Sequence, residues 1–244
     1  MFKKLTYGLA QRLMPVVLMA CVLPFQVRAQ EPVVQHRPYL DTRQLHWGFF
    51  FGMNMMDIEV ENNGYIDPAS GEQWYADVDT YQPGFTVGVL GELRLNKYLG
   101  LRAQPNISFG QRRLILHEQV SGRDTIQNMK TTYVSIPISL KIAAPRYNNF
   151  RPYVTVGVAP TFDLTAAKSK ALRPNVFDCF IEVGGGCDLY LPWFKLIPEL
   201  KFCFGLRDLF MHERKDLTEP NDLKFTKSVN QAHSSMIVLS VYFE

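Results

Sequence analysis

The sequence predicts an all-β fold, an eight-stranded antiparallel, up-and-down transmembrane β-barrel of the outer-membrane type. Three observations predict it. Residues 235–244 put apolar side chains at every second position, so that Ile237, Leu239, Val241 and Phe243 share one face of a strand. The same rhythm returns in seven earlier segments. The connections between segments alternate long and short, as they do in barrels with short periplasmic turns and longer external loops.

The chain opens as an export signal. Residues 1–29 contain no acid, Lys3, Lys4 and Arg12 form a basic start, 13–27 is apolar, and Val27-Arg28-Ala29 reads as a cleavage site. The apolar stretch is too short, and too interrupted by Pro15 and Pro24, for a spanning helix. Leu18-Met19-Ala20-Cys21 is a poor lipoprotein box, because Met19 fits it badly. The expected organisation is a cleaved signal peptide over 1–29, a periplasmic N-terminal segment over 30–44 and the barrel over 45–244. Four of the 26 basic residues lie in the signal, leaving 22 basic against 23 acidic residues. No basic patch is interleaved with a stacking motif, so no nucleic-acid partner is expected. No apolar run of helical-span length follows the signal, which excludes a helical membrane protein.

Strands are expected at about 45–57, 82–95, 99–116, 130–142, 152–164, 176–191, 194–208 and 234–243. Long connections cover about 58–81, 117–129, 165–175 and 209–233. Short ones are 96–98, 143–151 and the bend at Pro192-Trp193. Hairpin register is testable in the sequence. A turn centred on Lys97 sets Leu93 against Leu101 and Phe85 against Phe109 on one face, and Glu92 against Arg102 and Thr86 against Ser108 on the other. A turn centred on Asn148 sets Leu140 against Val156 and Ile138 against Val158, with Ser139 against Gly157. A bend between Pro192 and Trp193 sets Ile181 against Phe204 and Asp178 against Arg207. A one-residue slip would invert every face, so three agreeing hairpins carry weight. The same registers put Cys203 opposite Glu182 on the polar face and Cys179 and Cys187 on the apolar face, which predicts three free thiols.

The apolar face is expected to point outward, for three reasons. The polar face is rich in glycine (Gly48, Gly52, Gly88, Gly157, Gly184 and Gly186 among others), which suits a narrow interior and weakens a wet surface strand. Its charges pair: Glu92 with Arg102, Asp178 with Arg207, and Lys201 near Glu182 and Glu199, as an enclosed interior requires. Aromatic residues gather at strand ends, with Trp47, Tyr98, Phe150, Trp193, Phe194 and Phe243 at one end and Tyr81, Phe85, Phe109, Phe162, Phe177 and Phe210 at the other. Two such girdles fit the two bilayer interfaces. An interior filled by side chains is no open pore.

No catalytic, cofactor or metal site is expected. His117-Glu118 and His212-Glu213 lack the second histidine of a zinc helix. Gly184-Gly185-Gly186 lacks the following lysine of a phosphate loop and reads as a close-packed strand. His233, Ser234 and Ser235 are contiguous and cannot face one another along a strand. The acids of the first long connection (Asp57, Glu59, Glu61, Asp67, Glu72, Asp77 and Asp79) match no calcium-loop spacing.

Four segments carry a family resemblance: 46–54 (HWGFFFGMN), Pro83-Gly84-Phe85, 133–141 (YVSIPISLK) and 151–157 (RPYVTVG). They resemble the PorT-like outer-membrane barrels of the Bacteroidetes, over essentially all of the chain beyond the signal. The resemblance implies a non-enzymatic part in type IX protein secretion, the export of cargo with C-terminal sorting domains. The implied partners are outer-membrane lipids and other secretion components. The surfaces expected to meet them are the fourth long loop, with Arg214, Lys215, Asp216, Glu219 and Asp222, and the segment 31–44. The alternatives are a lipid-modifying barrel enzyme, which needs a polar triad near one rim and a gap in the wall, and a generic structural or adhesin barrel.

Overall fold

Eleven strands form one antiparallel sheet. The computed structural model describes residues 34–62, 74–118, 124–165, 175–208 and 229–244, and every strand lies in the unit Gln35–Glu244. The strands are β1 (Leu45–Asn62), β2 (Trp74–Tyr81), β3 (Pro83–Arg94), β4 (Leu99–Ala103), β5 (Asn106–Glu118), β6 (Asp124–Ser135), β7 (Ile138–Ala143), β8 (Phe150–Asp163), β9 (Phe177–Tyr190), β10 (Lys195–Gly205) and β11 (Val229–Phe243). A 3-10 turn, Leu40–Thr42, precedes β1. The expected signal peptide lies outside the described residues.

All three hairpin registers hold. Glu92 faces Arg102 and Phe85 faces Phe109. Leu140 faces Val156 and Ser139 faces Gly157. Ile181 faces Phe204 and Cys203 faces Glu182. The middle turn is tight because Asn148 takes a left-handed φ of 53°, which asparagine tolerates, while Tyr147 and Phe150 exchange both backbone bonds at 2.9 Å. β1 pairs with β3 on one side and with β11 on the other, and β8 pairs with both β7 and β9.

Two expectations about the strands are corrected. Pairing continues beyond the alternating segments: β1 runs to Asn62, β2 occupies part of the expected first loop, β5 and β6 narrow the second, and β11 begins at Val229. Apolar alternation is needed only where one face meets an apolar medium, whereas backbone pairing continues wherever partners remain in reach. The other correction concerns the unbroken strands expected over 99–116 and 130–142. Gln104-Pro105 separates β4 from β5, and Ile136-Pro137 separates β6 from β7. Proline has no N–H to give to a ladder. One diagonal of the sheet is therefore thin. Along it Val89 N–H donates to Pro105 O (3.0 Å), Gln104 N–H to Pro137 O (3.0 Å) and Ile136 N–H to Pro160 O (3.1 Å). The register does not slip across these breaks, since Gly88↔Asn106 and Gly91↔Ala103 keep one offset.

The two faces invert the usual rule for water-soluble proteins. Along β8, Arg151, Tyr153 and Thr155 are buried while Pro152, Val154 and Val156 are exposed. The outward side chains are apolar across the sheet, among them Phe49, Met53, Val87, Ile138 and Leu239. The inner face is not as polar as expected. It also holds two apolar clusters, one around Phe50, Tyr153 and Tyr242, the other around Met56, Phe180 and Met236. These bulky groups explain the inner glycines. A Cβ at Gly88 would lie 2.7 Å from the Phe50 ring, and one at Gly186 would collide with the Tyr153 hydroxyl. In the narrow interior a large side chain on one strand requires a small one on the next.

Candidate functional site

The inner face toward the chain termini holds a continuous network of charges. Arg102 from β4 is fully buried and lies at its centre. Its Nε donates to Glu92 Oε2 of β3 at 2.7 Å, and its Nη1 donates to Glu199 Oε2 of β10 at 2.7 Å. Lys141 of β7 donates to Asp188 of β9 at 2.7 Å and approaches Glu92 at 3.4 Å. Lys195 links Asp188 (3.4 Å) to Glu244 (2.9 Å). Lys201 meets Glu182 and Glu199, each at 3.5 Å, and donates to Gln104. Hydroxyls complete the shell: Tyr153 and Tyr242 both donate to Glu199. Tyr153 also presents its ring to Arg102 at 4.6 Å and to Lys141 at 4.3 Å. Four cations thus meet five carboxylates, and His46 hydrogen-bonds the fifth, Glu244. Mutual neutralisation is the condition under which buried ions persist, although Arg102 Nη2 and Glu182 Oε2 make no hydrogen bond and meet only opposite charges, at 3.9 and 3.5 Å.

The expected pairs are placed unequally. Glu92–Arg102 and Glu182–Lys201 lie within the network. Asp178 is buried, but Arg207 lies past the end of β10 with an exposed side chain whose guanidinium sits 5.7 Å from the Phe177 ring. What Arg207 gives Asp178 is its backbone N–H, at 3.4 Å. Sequence reasoning missed Lys141, Asp188 and Lys195 as members. The signal was present for Lys141, which shares the parity of the inward Ser139. The loop residues Arg214, Lys215, Asp216, Glu219 and Asp222 lie outside the described residues, as do His212-Glu213 and Phe210.

A second cluster closes over the network at the terminal end. Asp41, in the 3-10 turn, accepts from the Tyr190 hydroxyl (2.7 Å), from Arg146 Nη1 (3.1 Å) and from Arg151 Nη1 (3.5 Å). Arg146 stacks 3.6 Å from the Tyr190 ring centre and donates Nη2 to His36 O at 2.5 Å. His36 N–H in turn reaches Asn149 Oδ1 at 2.9 Å. Burial pushes the Asp41 carboxyl up, but the Tyr190 and Arg146 hydrogen bonds and the two guanidinium charges outweigh it and hold it below the usual value. Glu244 follows the same logic: burial is opposed by the His46 hydrogen bond and the Lys195 charge, and the balance is downward. Beneath Asp41 a small polar pocket of about 20 Å³, lined by His46, Glu92, Lys141, Asp188 and Lys195, has room for about one water.

No catalytic constellation appears among the described residues. Ser234 points inward and accepts from Arg112 Nη2 at 2.6 Å, whereas His233 and Ser235 alternate to the other face. Among the described residues no group of three or more His, Cys, Asp or Glu could hold a metal. Gly184-Gly185-Gly186 lies within β9, and Cys179, Cys187 and Cys203 are free thiols.

No curated protein matches this sequence. Among solved structures, Neisserial surface protein A superposes with a TM-score of 0.42 at 9% identity, covering 82% of this chain and 98% of that one. OprG from Pseudomonas aeruginosa gives 0.40 at 12% identity, covering 82% and 94%. Ail of Yersinia pestis gives 0.35 at 14% identity, covering 82% and 99%. The family profile described as outer membrane protein beta-barrel domain matches residues 28–211, and the chain belongs to that family.

Proposed function

We propose that this protein is a closed, eight-stranded, non-enzymatic barrel of the outer membrane that works through its surfaces rather than by conducting solutes. Grouping β2 with β3, β4 with β5 and β6 with β7 gives eight runs, and the pairing of β1 with β11 supports closure. In this reading the terminal end is periplasmic, as the short connections there suggest. The observation that carries the function is the filled interior. The ion network, with Arg102 reaching from β4 to β10, and the cluster around Phe180 and Met236 fill the inner face with side chains among the described residues, which argues against a water-filled channel. Such a barrel serves as a structural element or an adhesin-type platform. In planar bilayers the folded protein is expected to give no conductance steps, and stable steps of a water-filled pore would sink the reading.

A finer reading makes it a component of type IX secretion. It rests on the resemblance of segments 46–54, 133–141 and 151–157 to PorT-like barrels. It is also favoured by the ordered surface that residues 36–41 build at the terminal end, where periplasmic partners could dock. Deletion of the gene followed by proteomics of the cell surface and periplasm separates the two readings. Periplasmic build-up of cargo with C-terminal sorting domains supports the secretion role, and unchanged cargo leaves the structural barrel.

A further inference from the structure

The outward wall is dented along the proline diagonal. One trough has Gly91 and Ala103 as its floor, where the cross-strand row reads Trp47↔Gly91↔Ala103↔Ile138. Its sides are Trp47, Val89, Leu93, Leu101 and Ile138, and its volume is about 360 Å³. Most other outward positions carry large side chains, so two small ones in a row make a depression rather than a flat wall. Past Pro105 a second trough of about 530 Å³ continues between Val87, Ile107, Val134 and Ile136. The inward residues Asn106 and Ser135 also line it, as Arg102 does the first. Asn106 repairs the backbone there, donating from Nδ2 to Gln104 O at 2.9 Å and accepting from Ser135 at 3.0 Å. The first trough ends at the terminal rim, where Leu45 pairs with Leu93. Just beyond this end lie Arg43, Arg94 and Lys97. Arg43 and Lys97 are exposed, whereas Arg94 shares the inward parity of Glu92 and lines the polar pocket beneath Asp41.

We propose that this trough is a binding site for one anionic phospholipid, with an acyl chain lying over Gly91 and Ala103 toward Pro105 and the phosphate against Arg43 and Lys97. The trough opens on the face that meets the bilayer of an outer-membrane protein, so a lipid chain is the occupant in continuous supply. Taking a methylene as roughly the size of a water, about 30 Å³, the first trough holds an acyl segment on the order of a dozen carbons. Apolar matter against a flat wall would exchange freely. A recessed floor gives a chain contact on three sides, and dispersion gains scale with the atoms touched. The cations supply what the chain alone lacks, a preference for a negative headgroup beside the interfacial ring of Trp47.

The test uses the full chain folded into phosphatidylcholine vesicles doped with phosphatidylglycerol that carries a photoreactive acyl chain. After irradiation, adducts are mapped by mass spectrometry. Adducts should concentrate on residues 87–93, 101–107 and 134–138, and phosphatidylglycerol should exceed phosphatidylcholine bearing the same reactive chain. Gly91→Leu with Ala103→Leu fills the trough from the lipid side, and adducts there should fall on the order of tenfold while heat-modifiable gel mobility stays that of folded protein. Ala103→Leu alone serves if the double variant does not fold. Arg43→Gln with Lys97→Gln should abolish the headgroup preference and leave the apolar labelling. Adducts spread evenly around the barrel would overturn the site. So would chain-to-chain cross-links at Ala103 in place of lipid adducts, which would assign the trough to a second copy. Because vesicles offer both leaflets, the outcome does not depend on the secretion role or on the orientation of the barrel.

Discussion

Glu92–Arg102 and Asp178–Arg207 are each an acid and a base set opposite by a short turn, the first close to its turn and the second at the open end of its hairpin. Only the first is an ion pair, at 2.7 Å with the guanidinium fully buried. In the second the arginine has left its strand, and its guanidinium faces Phe177 near the rim. A ladder fixes which Cα atoms are neighbours. It does not fix whether their charges meet. Arg102 has no surface exposed to solvent, so its guanidinium must be compensated by the carboxylates in reach. At the rim, holding two side chains together gains little over hydration.

The largest expected effect tests the deep pair. Arg102→Met leaves Glu92 and Glu199 buried without their shared cation and should destabilise the barrel by about 3–5 kcal/mol. The denaturant midpoint of folded protein, followed by heat-modifiable mobility, reads this. A near-neutral result would remove the distinction between the two pairs.

Face matters as well as depth. Val156 is 46% exposed on the outward side, while its neighbour Thr155 is 5% exposed. Val156→Arg should cost roughly 2–4 kcal/mol in vesicles, whereas Val156→Leu should be silent. Equal stability of the two variants would mean that this face does not lie in lipid.

Asp41 is the intermediate case, ionic but at the rim. Its carboxyl titrates below the usual value in the folded protein. The stability it gives the 36–41 segment is therefore complete above the unfolded value and is lost as pH falls through the folded one. A spin label replacing the exposed Tyr39 should be immobile at neutral pH and become mobile in that acid range. Asp41→Asn should loosen it already at pH 7, at a cost to the barrel of no more than about 1 kcal/mol. A label that stays immobile in Asp41→Asn would show that Leu40 burial, not the carboxylate, holds the segment.

The smallest effect is expected at the rim pair. Arg207→Leu should change stability by less than about 0.5 kcal/mol. A loss of several kcal/mol would place Arg207 in an ion pair with Asp178 and erase the contrast with Arg102.

Much of this arrangement is legible along the chain. The parity of Ile237, Leu239 and Val241 shows the outward face, and a turn centred on Lys97 or Asn148 is enough to write the neighbouring ladder. Other features resist such reading. Phe49-Phe50-Phe51 has no alternation of its own; the parity of Gly48 and Gly52 turns Phe50 inward, but nothing local shows that its ring lies against Gly88. Pro105 and Pro137 are visible as residues, but not as one diagonal, because that depends on how three successive ladders stack. Asp41 lies in an unremarkable stretch, and its partners Arg146, Arg151 and Tyr190 are more than a hundred residues away.

By itself, then, the sequence determined the all-β class, the two faces and the three hairpin registers, because the period of a strand and the centre of a short turn are local quantities. The tertiary structure decided which charges meet. Arg102 and Glu199 are 97 residues apart and lie on strands separated in the sheet by β3, β1 and β11. Only the curling of the sheet brings them together, and only the burial that results makes their meeting necessary.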